Sequence, residues 1–114
     1  MRSVKPKIEK PPKHLRKDTA TWWAEVLEQF ELDSHHVRLL TKACESWDRS
    51  EQARELLAQD GLIIEDRFGS KKAHPAVAIE RDSRLAFCRC TREIGLDVSP
   101  ASESRPNPLR ANRG

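Results

Sequence analysis

The chain has 114 residues, of which 34% are charged, 37% hydrophobic and 5% aromatic. No stretch approaches the roughly 18 consecutive apolar residues of a membrane-spanning helix, and the lysine-rich start has no contiguous apolar run to serve as a secretory leader. The net charge of +3 is unevenly distributed: residues 1–17 sum to +6, residues 101–114 to +2, and residues 18–100 to −5. An acidic body with two basic ends points to a polyanion partner for the ends.

Residues 1–17 read as a basic, proline-containing N-terminal tail. Pro6, Pro11 and Pro12 remove backbone donors among mutually repelling lysines, so residues 1–13 are expected to be extended and mobile. Asp18 or Thr19 then caps a first helix, with Trp22, Trp23, Val26, Leu27 and Phe30 at the spacing of one apolar stripe. It is expected to end near Phe30, ahead of the connection Glu31-Leu32-Asp33. Ser34 caps a longer helix running to about Gln59 and stopped by Gly61. Its apolar face is Val37, Leu40, Ala43, Cys44, Trp47, Ala53 and Leu57. At 1.5 Å per residue such a helix is about 39 Å long, more than one small domain covers, so copies of the chain are expected to finish the burial. Trp22, Trp23, Trp47 and Leu40 are the candidate oligomer interface.

Leu62-Ile63-Ile64 and Lys71 to His74 flank the turn Phe68-Gly69-Ser70, giving a small hairpin near 62–74 that must lean on the helices. Pro75 suits the first turn of a last helix, where its missing amide would have had no partner. Ala76, Ile79, Ser83, Ala86, Phe87, Cys90 and Ile94 line one face of that helix, and Gly95 ends it. The expected fold is mainly α, three helices with a β-hairpin before the last, over a core of residues 18–100. Residues 101–114, with Pro106, Pro108 and three arginines, form a second basic tail.

The chemistry candidates are weak. His35 and His36 are adjacent, so on a helix they diverge by about 100° and do not suit one metal. Cys88 and Cys90 lack the second pair that a zinc site requires, and three cysteines fit a reducing compartment. Glu45, Asp48, Glu51 and Glu55 lie among Arg49 and Arg54, which makes a solvated face with i, i+4 ion pairs the expected reading. No phosphate loop or nucleophile constellation is present, so no catalytic residue, metal or cofactor is assigned. The strongest feature is cationic: Lys5, Lys7, Lys10, Lys13, Arg16 and Lys17, with Lys71 and Lys72 beside the hairpin turn, are the candidate DNA-binding residues. Five phosphate contacts from the tail give a log–log salt slope near −4.5, from about 0.9 per contact.

Pro12-x-x-Leu15 ahead of Trp23, the long helix, Gly61-Leu62, Gly69, His74-Pro75-Ala76 and Ile94-Gly95-Leu96-x-x-Ser99-Pro100 together resemble the short-type small subunits of tailed-phage terminases. The resemblance covers about residues 11–105. It implies a non-catalytic DNA-recognition and adaptor component of a viral packaging motor, acting in the host cytoplasm. It further implies a ring of more than two copies that binds viral double-stranded DNA and hands it to the large subunit. The residues of the His74-Pro75-Ala76 motif look structural in it, with the imidazole bonding locally. A helix-turn-helix regulator and a structural phage assembly protein with solubilising tails are the alternatives. An exterior bearing His35, His36 and Glu45 matches a DNA groove poorly.

Overall fold

The computed structural model describes residues 10–96. Residues 1–9 and 97–114, and with them most of both expected tails, lie outside the described residues. The order is α1 (Lys17–Gln29), α2 (Ser34–Asp60), β1 (Ile63–Glu65), β2 (Lys71–Ala73) and α3 (Ala76–Ile94). This is the expected set of elements, with boundaries shifted by one or two residues. The caps differ more: the positions ahead of α1 and α2 are Arg16 and Asp33, and neither side chain caps.

α2 and α3 lie antiparallel. His74 meets Asp60, Phe87 meets Trp47, and Ile94 reaches the cluster around Leu40 and Cys44. α1 crosses this pair at the far end from the hairpin. There Trp23 and Val26 join Leu15, Leu40, Cys44 and Ile94 in the core, and the Trp23 Nε1–H donates to Thr41 Oγ1 at 3.2 Å. Small residues let the helices close: Ala43, Cys44 and Ala53 on α2 and Ala76 on α3 are buried. The surplus length of α2 is therefore covered mainly by α3 of the same chain, not left for a neighbour. Ile79, expected on the inner face of α3, stays half exposed near the hairpin end.

The hairpin pairs Ile63 with Ala73, Ile64 with Lys72 and Glu65 with Lys71. Its loop is held by Asp66, whose Oδ1 accepts the amides of Phe68 and Ser70 at 2.8 and 3.0 Å, with Gly69 at φ +83°. Asp66 thus acts as the turn-making residue its short carboxylate allows. Contrary to expectation, the hairpin leans little on the helices. Leu62, Ile63 and Phe68 are 62%, 57% and 83% exposed, and of the hairpin's large apolar side chains only Ile64 is half-buried.

Its firm anchor is His74. Nδ1 accepts the Ala76 amide at 2.9 Å, which places the ring proton on Nε2 and makes that nitrogen the donor to Asp60 Oδ2, also 2.9 Å away. One imidazole thus caps α3 and ties it to the last turn of α2, the local bonding that the His-Pro-Ala motif implied. At the other end Gly95, at φ +95°, donates to the Thr91 and Arg92 carbonyls while Leu96 donates to Thr91, closing α3 in a left-handed cap.

Candidate functional site

The residues counted with the N-terminal tail are in part a strap across α2. Leu15 is buried, and its amide donates to the Pro12 carbonyl. The Arg16 amide donates to Asp48 Oδ2 at 2.9 Å, and its guanidinium forks onto Glu55 at 2.8 and 3.1 Å. His14 Nε2 sits 2.9 Å from Glu45 Oε2. The folded body therefore begins near residue 11, not at 18.

The acidic row on α2 is not the uniform solvated face the sequence suggested. Asp48 is buried and accepts the Thr19 hydroxyl as well as the Arg16 amide. Arg54 pairs with Glu51 one turn away, an i, i+3 pair. Burial pushes the Glu45 carboxyl up, but the hydrogen bonds from His14 and Lys42 outweigh it and hold the group below the ordinary carboxylate range. The Arg16 hydrogen bond lowers Glu55 in the same way. The stabilisation from these lowered carboxyls is present above the ordinary carboxylate pKa and is lost as pH falls from there through the lowered folded values, so the strap loosens on the acid side.

Of the candidate DNA-binding residues, Lys5 and Lys7 lie outside the described residues. Lys10, Lys13 and Lys17 are exposed, whereas Arg16 is engaged with Glu55. Lys72 is exposed, and Lys71 lies 4.0 Å from Glu65 across the hairpin. Glu55 precedes Asp60, where α2 ends before the hairpin, by about 7.5 Å of helix. Arg16 therefore reaches the hairpin half of α2, whereas His14 meets Glu45 ahead of its midpoint.

The four candidate interface residues separate. Trp23 and Leu40 are in the chain's own core at 2% and 0% exposure, which removes them from any surface in this conformation. Trp22 and Trp47 instead line a cleft of about 320 Å³ with Asp18, Thr19 and Phe87. Nothing local in the sequence signals this cleft beyond the placement of Trp47 and Phe87 on inward faces, because its walls come from three helices.

One ligating atom from each of Asp33, His35 and His36 lies within 4.8 Å of the others, and the two rings are 4.1 Å apart. Adjacency on the helix thus does not separate the two imidazoles as expected. The positive end of α2 disfavours a cation there.

The thiols differ by depth. Burial, helped by the carboxylates of Asp48 and Glu45, pushes Cys44 up to about 12, and burial also raises Cys90. Cys88 is exposed. A maleimide at neutral pH should label Cys88 fast, Cys90 slowly, and Cys44 only after unfolding, because the thiolate is the nucleophile. Native-state mass mapping that found Cys44 labelled as fast as Cys88 would contradict the packing of α2.

No helix among the described residues is long and apolar enough to cross a membrane. A family model described as "Phage terminase, small subunit" matches residues 20–112. No curated protein and no solved structure matches the chain.

Proposed function

The chain belongs to the phage terminase small-subunit family, and from that premise we propose that it is the non-catalytic, DNA-recognising adaptor of a viral DNA-packaging motor. The observation that carries this reading is the family match over residues 20–112, from within α1 through the second helix, the hairpin and the last helix. The partners are viral double-stranded DNA, the terminase large subunit and further copies of the chain, in the host cytoplasm. The working form is a closed homo-oligomer of more than two copies.

Neighbours join at the hairpin end. Leu56, Leu62, Ile63, Phe68 and Ile79 are all exposed there, and an isolated two-stranded hairpin is marginal in water without cover. Native mass spectrometry should return more than two multiples of 13.1 kDa. A single-chain or two-chain mass would refute the ring. Phe68→Ser should lower the copy number while leaving the helical circular dichroism intact, since Phe68 is 83% exposed.

DNA is held by the cations on the N-terminal side, with Lys71 and Lys72 as a second contact, through phosphate neutralisation that reads no sequence. Removing residues 1–9 and replacing Lys10 and Lys13 with glutamine takes away five positive charges while keeping Pro12 and Leu15 in place. The expected result is an intact oligomer whose gel-shift affinity at moderate salt falls several-fold. If all five groups meet phosphates, the salt slope also shrinks by about 4.5. Unchanged retention and slope would take the N-terminal cations out of the DNA interface.

A further inference from the structure

The cleft between the three helices has no cation among its lining residues. Trp22 of α1, Trp47 of α2 and Phe87 of α3 wall it, with Asp18 and Thr19 at its α1 end. Phe87 stands between the indoles, its ring centroid 5.9 Å from Trp22 and 5.1 Å from Trp47, tilted by 50° and 58°. Trp47 remains 45% exposed. Asp18 is exposed and makes no ion pair among the described residues.

Tilted aromatic walls ending in a carboxylate suit a proline-rich strand flanked by a cation. Proline rings pack on indole faces, the strand has little conformational entropy left to lose, and the cation meets the carboxylate beside an aromatic face. The chain carries such a strand in Arg105-Pro106-Asn107-Pro108-Leu109. We propose that this segment docks in the cleft of its own chain, with the prolines against Trp22 and Trp47 and the Arg105 guanidinium facing Asp18.

Reach and charge both admit this occupant. Phe87 to Leu96 is about 13.5 Å of helix, and the nine residues from Leu96 to Arg105 span up to about 30 Å, so the segment can double back to the cleft. Tethering keeps its effective concentration high. Residues 101–114 carry +2 against −5 for residues 18–100. In the other proline-rich stretch, Pro11 lies beside Lys17, Ala20 and Thr21, on a separate surface of α1.

The test uses the full chain with its three tryptophans replaced by 5-fluorotryptophan, the three fluorine resonances being assigned with Trp22→Phe and Trp47→Phe. Changing Arg105, Pro106 and Pro108 together to alanine should shift the Trp22 and Trp47 resonances and raise their quenching by acrylamide. Trp23, enclosed and bonded to Thr41, should not respond. Spectra that superimpose on the wild type would overturn the proposal. Asp18→Asn should shift the same two resonances in the same direction; no shift would remove the arginine contact. Fluorinated wild-type chains refolded with a large excess of the unlabelled triple variant should keep the wild-type spectrum. A variant-like spectrum in that mixture would assign the cleft to a neighbouring chain's segment and overturn same-chain docking.

Discussion

An Asp48→Ala chain is expected to lose about 2–6 kcal/mol of folding free energy. Asp48 is a charged side chain on the buried face of α2, one turn beyond Cys44, and both its oxygens are used. Alanine leaves a buried Thr19 hydroxyl and the Arg16 amide without acceptors, and each orphaned polar group costs about 1–3 kcal/mol. Asparagine, which keeps one acceptor in place, should recover about half of the loss by the same reckoning. Equilibrium urea unfolding at fixed protomer concentration reads the difference, because association adds to apparent stability. A loss below about 0.5 kcal/mol, the usual scale of an idle surface change, would mean that the carboxylate does not hold α1 to α2. High salt should not mimic the substitution, because the buried contacts are poorly screened. The exposed Arg16–Glu55 pair is the part that salt weakens.

Trp23→Ala is the more damaging change, at about 3–5 kcal/mol for an enclosed indole. Trp23 touches the cluster that joins all three helices, and its removal also strands the Thr41 hydroxyl that accepts its N–H. Against the 5–15 kcal/mol that holds an ordinary domain together, the variant should melt early or fail to reach a cooperative fold. Trp47→Ala removes a side chain that is 45% exposed and should cost less than half as much. Thermal melts of the two variants give the comparison directly. Equal losses would mean that the two indoles share the core alike.

The contrast between these tryptophans also marks how far the sequence could be read. Periodicity, Gly61, Pro75 and Gly95 placed every helix and the hairpin within a residue or two, because those signals are local and each has a backbone cause. Core and interface, however, produce the same stripe. Trp23 and Leu40 were indistinguishable from residues awaiting a neighbour until α1 was seen folded across α2. Asp48 shares the row of Leu40 and Cys44, so its inward direction was legible, but its charge argued for solvent. The partners that resolve that conflict, Arg16 and Thr19, lie 32 and 29 residues earlier in the chain. The strap and the aromatic cleft rest on contacts of the same kind, and no short-range pattern encodes them. The hairpin was legible as an element but not in its exposure, since Leu62, Ile63 and Phe68 carry the hydrophobicity of buried residues.

The strap has a mechanical consequence. Arg16 and Leu15 are pinned to the helices only a few residues beyond Lys10 and Lys13, so there is almost no slack between those lysines and the rigid body. Tension applied to the start of the chain is delivered at Asp48, near the middle of α2, and not at a frayed helix end. The hydrogen bond that the His74 imidazole makes to Asp60 lies about 18 Å further along the same helix, so the two anchors of α2 are well separated.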